Sequence, residues 1–476
     1  MLVRHFFIEK IAHSSYLLVG RKTCAVIDPE RNVEVYLDAA RSLGVHITHV
    51  LQTHLHADFV SGHVDLMERT GATVYAPETA DCEFDHVPVR EGHQIELEHV
   101  RLDVLETPGH TPEHVSYVAT DTTRIDRPAC VFTGDTLFVG DVGRPDLFPG
   151  RSEELAGLLY SSLREKLMKL PDYCEVLPAH GAGSLCGRSM AAKWSSTIGY
   201  ERRSNPALRI RSRERFIESL TRGMPPAPDH FARCSEINRT GPSPVTSLAD
   251  PARLAPDRFR ELSTSRGATV LDVRGYDAYG GQHVPNAMSL PLAGNFPTFA
   301  GWVLPENARL LLVADDREQA QEAVRWLRRV GLDRTPGYLE GGMFAWSGEG
   351  YAASHVGLLS AEEVNSAAHS GDGLTLLDVR AAAEFEQAHI DGSVNIPAPD
   401  LRSRYVELDP ESPTIVICSS GNRSSTAAAI LERKGFSSLM NAAGGHTAYA
   451  AAGFSGSCPM CSLPHGPRLV YGEDSE

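Results

Sequence analysis

A near-repeat in the second half of the chain constrains its fold more than any other feature. Residues 269–274, TVLDVR, recur as residues 375–380, TLLDVR. Each copy is followed by a similar phrase, QHVPNAMSLP at 282–291 and AHIDGSVNIP at 388–397, and later by a Gly-Gly pair. Apolar strands alternate with helical stretches in both copies, and two copies are too few for a solenoid. The pattern predicts a tandem duplication of one parallel α/β domain.

The length of 476 residues leaves room for further domains before the duplication. Domains of about 150 residues would give about three for the chain. Two proline-rich stretches, at 224–228 and 241–244, mark a boundary. We therefore predict domains at residues 1–240, 245–352 and 356–456, followed by a tail at 457–476.

Charge and cysteine content narrow the class of protein. A formal net charge of -16 argues against a nucleic-acid partner, because such proteins need Lys and Arg to displace counterions from phosphate. The N-terminus shows no leader pattern, and no segment approaches the ~20 apolar residues of a membrane span. The nine cysteines are too sparse for a disulfide framework. We expect a cytoplasmic homo-oligomer without a membrane partner, whose cysteines are thiols.

Histidines and aspartates gather in four loops of the first domain, each directly after a β-type run. The loops are THLHADF at 53–59, TPGHTPEH at 107–114, TGDT at 133–136 and PAHG at 178–181. A lone HxH is usually a structural pair, but four such loops in this order indicate a metal site. The candidate residues are His54, His56, Asp58, His110, Asp135 and His180.

These loops resemble those of the metallo-β-lactamase superfamily over residues 1 to about 200. The resemblance implies an αββα double-sheet sandwich with the loops along one edge. Members with two metals carry HxHxDH, whose final histidine helps to hold the second ion. Here Phe59 takes that place. An apolar ring removes a ligand and dries the position, so the substitution argues against a two-metal hydrolase.

Within this superfamily the chain is similar to the persulfide dioxygenases, which implies one metal held by His54, His110 and Asp135. Two histidines and one carboxylate suit Fe(II) enzymes that activate dioxygen, since positions stay open for substrate and oxygen. We predict one Fe(2+) per chain, with zinc as the competitor. His56, Asp58 and His180 would orient the ligands or hold water. For His180 the alternative is an unused second-site ligand that holds a loop together.

Two further residues of this domain are candidates. Arg144, in GDTLFVGDVGRPDL, would pair with a carboxylate of a thiol substrate such as glutathione persulfide. The alternative is an internal salt bridge to Asp141 or Asp146. Cys186 follows His180 by six residues and would carry or relay sulfur, unless it is an ordinary buried thiol.

The second copy of the duplication contains a reactive-cysteine loop, CSSGNRS at 418–424, between an apolar strand and a helix that we place near Ser424. Backbone N–H groups in such a loop, together with the helix N-terminus, stabilise the thiolate of Cys418 and a cysteine persulfide. Arg423 would anchor the loop and add positive charge. The residues that would bind the transferred group are Ser419, Ser420, Gly421 and Asn422.

This half resembles the rhodanese sulfurtransferases from about residue 358 to 454. Phosphatase loops place one residue more between cysteine and arginine, so the tighter loop here suits sulfur better than phosphate. The first copy departs from the pattern, because residues 314–318 read ADDRE and no cysteine occurs from 235 to 417. It cannot make the persulfide, and we expect a structural or docking domain.

Two remaining motifs are weak. The single pair Cys458 and Cys461 in the tail fits a metal ligand pair, a redox pair or unordered thiols equally well. The basic, helix-like segment 199–222 is usually a solvated helix face, with attraction of an anionic thiol cofactor as the alternative.

Together the resemblances imply an enzyme of persulfide oxidation. It would use O2 to oxidise a low-molecular-weight persulfide of glutathione or coenzyme A type to sulfite, and Cys418 would then transfer sulfur to give thiosulfate. The alternatives are a zinc thioester hydrolase of the glyoxalase II type, and a sulfur carrier or scaffold.

Overall fold

The computed structural model describes residues 1–124, 126–188, 190–224, 227–370 and 373–454. The chain forms two compact units, of which the first comprises Met1–Leu248 and Arg328–Gly331, and the second comprises the other residues from Ala249 onward. The tail with Cys458 and Cys461 lies outside the described residues.

A six-stranded sheet opens the first unit, in the order β1-β2-β3-β4-β5-β6. Its strands are β1 (Leu2–Ile8), β2 (His13–Val19), β3 (Thr23–Ile27), β4 (His46–Leu51), β5 (Thr73–Pro77) and β6 (Val87–Val89). The first three strands are antiparallel, and β3 to β6 run parallel. Two helices complete this half, α1 (Glu34–Leu43) after β3 and α2 (His63–Thr70) after β4.

A second six-stranded sheet follows, in the order β12-β11-β10-β9-β8-β7. Its strands are β7 (Gln94–Leu97), β8 (Val100–Glu106), β9 (Val115–Asp121), β10 (Cys130–Gly134), β11 (Glu175–Pro178) and β12 (Ser196–Thr197). The helices of this half are α3 (Ser152–Ser161), α4 (Ile198–Ser204), α5 (Pro206–Arg209), α6 (Arg213–Thr221) and α7 (His230–Thr240).

Three apolar layers hold the first unit together. Tyr16 and Leu18 of the first sheet meet Leu102 and Phe132 of the second in one buried cluster. A second cluster joins the first sheet to α1, and a third joins the second sheet to α3 and α6. Helices thus cover both outer faces of two stacked sheets, because each sheet is apolar on both faces. The predicted αββα sandwich is confirmed.

The strand order of the sandwich brings the four ligand-type loops to strand ends. The first loop follows β4, the second joins β8 to β9, and the other two follow β10 and β11. Since β10 and β11 are parallel neighbours, the loops after them leave the same edge of the sheet. Residues distant in sequence therefore share one site.

The second unit begins with a five-stranded sheet in the order β13-β17-β16-β14-β15, with every pairing parallel. Its strands are β13 (Ala252–Leu254), β14 (Ala268–Asp272), β15 (Met288–Ser289), β16 (Arg309–Val313) and β17 (Gly337–Leu339). Its helices are α8 (Pro256–Ser263), α9 (Tyr276–Gly281), α10 (Phe296–Val303), α11 (Arg317–Arg329) and α12 (Gly342–Gly348).

The last sheet has the same plan, in the order β18-β22-β21-β19-β20, again parallel. Its strands are β18 (Gly357–Leu359), β19 (Thr375–Asp378), β20 (Val394–Asn395), β21 (Thr414–Ile417) and β22 (Leu439–Ala442). Its helices are α13 (Ala361–Ser370), α14 (Ala382–Gln387), α15 (Leu401–Arg404), α16 (Asn422–Glu432) and α17 (Gly445–Ala451). The identical order of strands in the two sheets confirms the tandem duplication.

The basic segment 199–222 differs from its prediction as one helix. It forms α4, α5 and α6, because Asn205 caps α5 through its side chain and Pro206 begins the new helix. Arg202 and Arg203 pair with Asp172, so part of the positive charge is already neutralised. Among the residues that the structure describes, no helix is long and apolar enough to cross a membrane.

Candidate functional site

Three side chains from three loops converge in the first unit. His54, His110 and Asp135 are almost completely buried, and their ligand atoms lie within 4.8 Å of one another. Asp135 Oδ2 is 3.3 Å from His110 Nε2 and 3.8 Å from His54 Nε2. His110 Nε2 has no hydrogen-bond partner among the described residues. A buried orphaned nitrogen aimed at a carboxylate and a second imidazole fits a metal ion.

Hydrogen bonds orient both imidazoles toward this centre. His110 Nδ1 lies 2.9 Å from the carbonyl oxygen of Arg144, to which it donates, so Nε2 keeps its lone pair. Thr53 gives its hydroxyl proton to Asp28 Oδ2 at 2.8 Å, and its oxygen lies 2.9 Å from His54 Nδ1. The oxygen therefore accepts the Nδ1 proton, which leaves His54 Nε2 free to ligate.

The electrostatics of the site favour binding of a cation. Burial lowers the pKa of His54 and of His110 below the ordinary value, so both stay neutral ligands. Burial opposes ionisation of Asp135, yet His180 and His110 hold its pKa well below the usual range. Burial would likewise lower the pKa of His180, but Asp135 and Asp58 raise it well above 6.5. An imidazolium thus lies between two carboxylates.

Phe59 packs among the histidines that surround this group of possible metal ligands. Its ring is fully buried, with its centroid 4.2 Å from that of His13 and 4.5 Å from that of His56. Asp58 Oδ2 lies 2.8 Å from His180 Nε2, and His180 Nδ1 lies 2.7 Å from Asp135 Oδ1. The structure places His180 as a bridge between Asp58 and Asp135, beside an apolar ring.

Cys186 lies close to His180 and Asp58. It is 1% exposed, and its sulfur belongs to a second group of possible ligands with Asp58 and His180. Burial, followed by the charges of Asp58 and Asp135, raises the pKa of the Cys186 thiol well above 9.0. The thiol form therefore dominates in the protein without a bound metal.

Sequence reasoning missed three residues around the centre. Asp28 receives the backbone N–H of Thr53 at 2.8 Å, and its Oδ1 lies 3.2 Å from His56 Nε2. His114 accepts the backbone N–H of Asp135 at 2.9 Å. His13 lies with its ring 5.3 Å from that of His180. The HTPEH spacing was a signal for His114, whereas Asp28 directly follows β3 and His13 begins β2, and neither lies in a motif.

Arg144 does not occupy the position of a substrate ligand. It is 1% exposed, and its guanidinium makes two hydrogen bonds of 2.7 Å to Asp146 and one of 3.1 Å to the Leu185 carbonyl oxygen. Its carbonyl oxygen also orients His110. The internal salt bridge, stated above as the alternative, describes this residue, because the fork is already used.

The cysteine loop of the second unit forms a cradle for sulfur. Cys418 is fully buried at the end of β21, and its Sγ accepts the Gly421 N–H at 3.1 Å. The Ser424 hydroxyl oxygen lies 3.3 Å from Sγ and gives its proton to Asn441 Oδ1 at 2.6 Å. Helix α16 begins at Asn422, two residues earlier than predicted, so its N-terminus faces the loop. A backbone N–H donor and a helix N-terminus beside one sulfur favour an anion there.

Arg423 anchors the loop through a residue that the sequence analysis did not name. Its guanidinium lies 2.6 Å and 2.8 Å from the two oxygens of Glu384 and 2.7 Å from the Ser419 hydroxyl. Burial would raise the pKa of Glu384, but Arg423 holds it below the usual value. The anchoring position agrees with the prediction, whereas the added positive charge is balanced by Glu384.

The corresponding loop of the first copy is filled by its own side chains. Asp315 N–H donates to Gln319 Oε1 at 2.8 Å, and Gln319 N–H donates to Asp316 Oδ1 at 2.7 Å. The loop therefore has neither a nucleophile nor this N–H available for an anion.

Comparisons with known proteins identify the families of both kinds of domain. Residues 255–349 and 360–452 match the rhodanese-like domain, and residues 9–180 match the metallo-beta-lactamase superfamily. A crystal structure of a metallo-beta-lactamase from Staphylococcus aureus subsp. aureus COL is 33% identical, with a TM-score of 0.64. It covers 71% of this chain and 98% of its own. The chain belongs to the metallo-β-lactamase superfamily. Two rhodanese-like domains follow the superfamily domain.

Two groups of enzymes within the superfamily are similar to this chain. The mitochondrial persulfide dioxygenase ETHE1 of Mus musculus is 31% identical over 225 residues, which are 46% of this chain and 80% of that protein. A hydroxyacylglutathione hydrolase of Methylobacterium nodulans is 32% identical over 232 residues, 48% of this chain and 85% of that protein. Identity alone does not separate the two groups. The metallo-β-lactamase domain contains a metal-binding site, and the side chains around it bear on the reaction.

Proposed function

We propose that the chain is a persulfide dioxygenase joined to a sulfurtransferase. The first domain would convert R-S-SH, O2 and H2O into R-SH, sulfite and two protons, with the persulfide of a thiol such as glutathione or coenzyme A as substrate. The single observation that carries this proposal is the set of His54, His110 and Asp135 beside the buried ring of Phe59. One complete set of ligands next to an apolar position supports one metal with open coordination positions.

An Fe(II) ion would be held by these three side chains and would supply the activation of dioxygen for oxidation of the persulfide. The chain's own groups do the rest. The Arg144 carbonyl oxygen and Thr53 fix the two imidazoles. Phe59 excludes water from the neighbouring position. We assign His180 the role of holding Asp135 by its ion pair. Cys186 would relay sulfur as a thiolate, which a cation bound at the centre would favour.

The second rhodanese-like domain would transfer sulfur through Cys418. The thiolate attacks the outer sulfur of thiosulfate, a Cys418 persulfide forms and sulfite leaves; attack by an acceptor thiolate or cyanide then restores the Cys418 thiolate. In the reverse direction a persulfide donor and sulfite give thiosulfate. The Gly421 N–H supports this assignment because it points at Sγ. Ser419, Ser420 and Asn422 complete the proposed group-binding loop.

The test is metal analysis of protein purified without oxygen, combined with oxygen uptake on addition of glutathione persulfide. We expect about one iron per chain and oxygen uptake that matches sulfite formation. Two zinc ions per active chain, with hydrolysis of an acylglutathione thioester, would establish the second candidate, which the similarity to hydroxyacylglutathione hydrolases favours. Absence of any metal in active sulfurtransferase would leave a sulfur carrier.

A further inference from the structure

The sulfur cradle depends on the backbone conformation of one residue. Gly421 has φ +99, and its N–H donates to Cys418 Sγ. Its carbonyl oxygen accepts the Asn441 side-chain amide at 3.0 Å. A glycine in this region of φ adopts many conformations at little cost, so the direction of its N–H must be fixed by neighbours.

One of those neighbours belongs to the cysteine-less domain. Tyr276 opens α9 of that domain, and its ring covers Gly421: a Cβ at position 421 would lie 3.0 to 3.1 Å from three ring atoms. The Tyr276 hydroxyl accepts the backbone N–H of Gly444 at 3.2 Å. Tyr276 thus contacts both Gly421 of the cysteine loop and Gly444, which begins the segment packed against that loop.

The supporting segment reaches the nucleophile directly. His446 N–H donates to the Cys418 carbonyl oxygen at 2.7 Å, and Thr447 N–H donates to the Ser419 carbonyl oxygen at 3.0 Å. Gly445 packs so closely against the Cys418 carbonyl that no Cβ would fit. Displacement of Gly444 would therefore move the backbone of Cys418 itself.

We propose that Tyr276 is a positioning residue for the sulfur-transfer loop, and that the cysteine-less domain is in this way a working part of its neighbour's site. The inference rests on the proposed sulfurtransferase function. The ring restricts Gly421 so that its N–H stays on Sγ, and the hydroxyl steadies the Gly444 segment. Loss of the ring frees the peptide, and the thiolate loses a donor in both half-reactions.

The experiment measures thiosulfate–cyanide sulfurtransfer by the full chain, with kcat and KM determined for each substrate. Tyr276→Ala removes the ring, and Tyr276→Phe keeps it while losing only the hydroxyl. The control Tyr279→Phe removes a hydroxyl that lies 3.3 Å from Glu432 of the active domain, without contact to the cysteine loop. Mass spectrometry after incubation with thiosulfate counts the Cys418 persulfide, and thermal unfolding monitors stability.

For Tyr276→Ala we expect about a tenfold fall in kcat and less Cys418 persulfide, with KM for thiosulfate changed by less than about twofold. Tyr276→Phe should retain at least about a third of the parental kcat, and Tyr279→Phe all of it. A lower melting temperature with parental kcat in Tyr276→Ala would show a purely structural role and overturn the proposal. An equal loss in Tyr279→Phe would overturn it too.

Two further outcomes are distinguishable. If Tyr276→Ala is insoluble, Tyr276→Leu replaces it, with the same expected fall in kcat and the same contradiction if kcat is parental. If the unaltered chain has no sulfurtransferase activity and Cys418 takes up no sulfur, the proposed function of the loop fails and this inference falls with it. Activity in the parent with no effect of either variant rejects the positioning role alone.

Discussion

The phenyl ring of Phe59 lies with its centroid 4.5 Å from the imidazole centroid of His56, at the position where the HxHxDH motif has its final histidine. Phe59→His should therefore restore a ligand beside Asp58 and His180. We expect the metal content to rise from about one to about two per chain, since ligand number sets occupancy. Phe59→Leu, which stays apolar, is the matched control and should keep one. Elemental analysis of the purified variants decides, and one metal in Phe59→His would contradict the assignment.

Removal of one ligand should separate the two activities. His110→Ala deletes a buried imidazole of the metal group, and we expect metal content and persulfide-dependent oxygen uptake to fall at least about a hundredfold. Sulfurtransfer through Cys418 should remain close to parental, since domains with separate cores act independently. An oxygen electrode and a thiocyanate assay measure the two rates. Loss of both in folded protein would show that the domains are not independent.

The order in which the sites act can be read from the products. Cys418→Ser removes the only nucleophile in the loop, and the hydroxyl is a poor sulfur acceptor at neutral pH. Oxygen uptake on glutathione persulfide should persist, while the product changes from thiosulfate to sulfite. Both are quantified after derivatisation. Thiosulfate at the parental rate would make Cys186 the next carrier to test, and loss of oxygen uptake with metal retained would reverse the order.

Buried neutral histidines should make the first unit sensitive to acid. His63 is 1% exposed, has no hydrogen-bond partner among the described residues, and has its pKa lowered to about 3 by burial first and then by His56 and His86. The unfolded chain takes up a proton on this residue below about pH 6.5, whereas the folded chain does not, so stability falls as pH decreases.

We expect His63 to cost about 2 kcal/mol of stability at pH 5 relative to pH 8. His63→Phe removes the titrating group beside Phe84, and it should lose less stability over this range than the parent. Denaturant unfolding of the metal-free proteins at both pH values measures the difference. An equal loss in both proteins would contradict the lowered pKa.

The sequence predicts those strands and helices whose ends depend only on the pattern of their own residues. The alternation of apolar and polar residues at 100–106 predicts a strand, which is β8, and the helical pattern at 33–43 predicts a helix, which is α1 within one residue. Residues 15–27 read as one β-type run, but a turn divides them into β2 and β3. That turn is held by Glu98, which accepts the Lys22 N–H at 3.0 Å from a strand-end distant in sequence. Such partners leave no local pattern.

The site shows the same division. His54, His110, Asp135 and Cys418 lie in motifs, so residue types and spacing were sufficient to find them. The positions of Asp28, Glu384 and Tyr276 follow only from packing, because each acts on a loop far away in the sequence. For Arg144 the sequence left a substrate contact and a salt bridge to Asp141 or Asp146 as alternatives, and the fork of its guanidinium onto Asp146 is seen only in the structure.

The cysteine-less loop of the first rhodanese-like domain differs from the active loop in length as well as in its side chains. Between the strand and the helix it has three residues, 314–316, where the active loop has four, 418–421. A cysteine at position 314 would thus meet a shorter turn, two carboxylates and an N–H already given to Gln319. The substitution Ala314→Cys alone would therefore not give this loop sulfurtransferase activity. Because this loop does not hold an anion, the domain's proposed role is the contact that Tyr276 makes with Gly421 of the active loop.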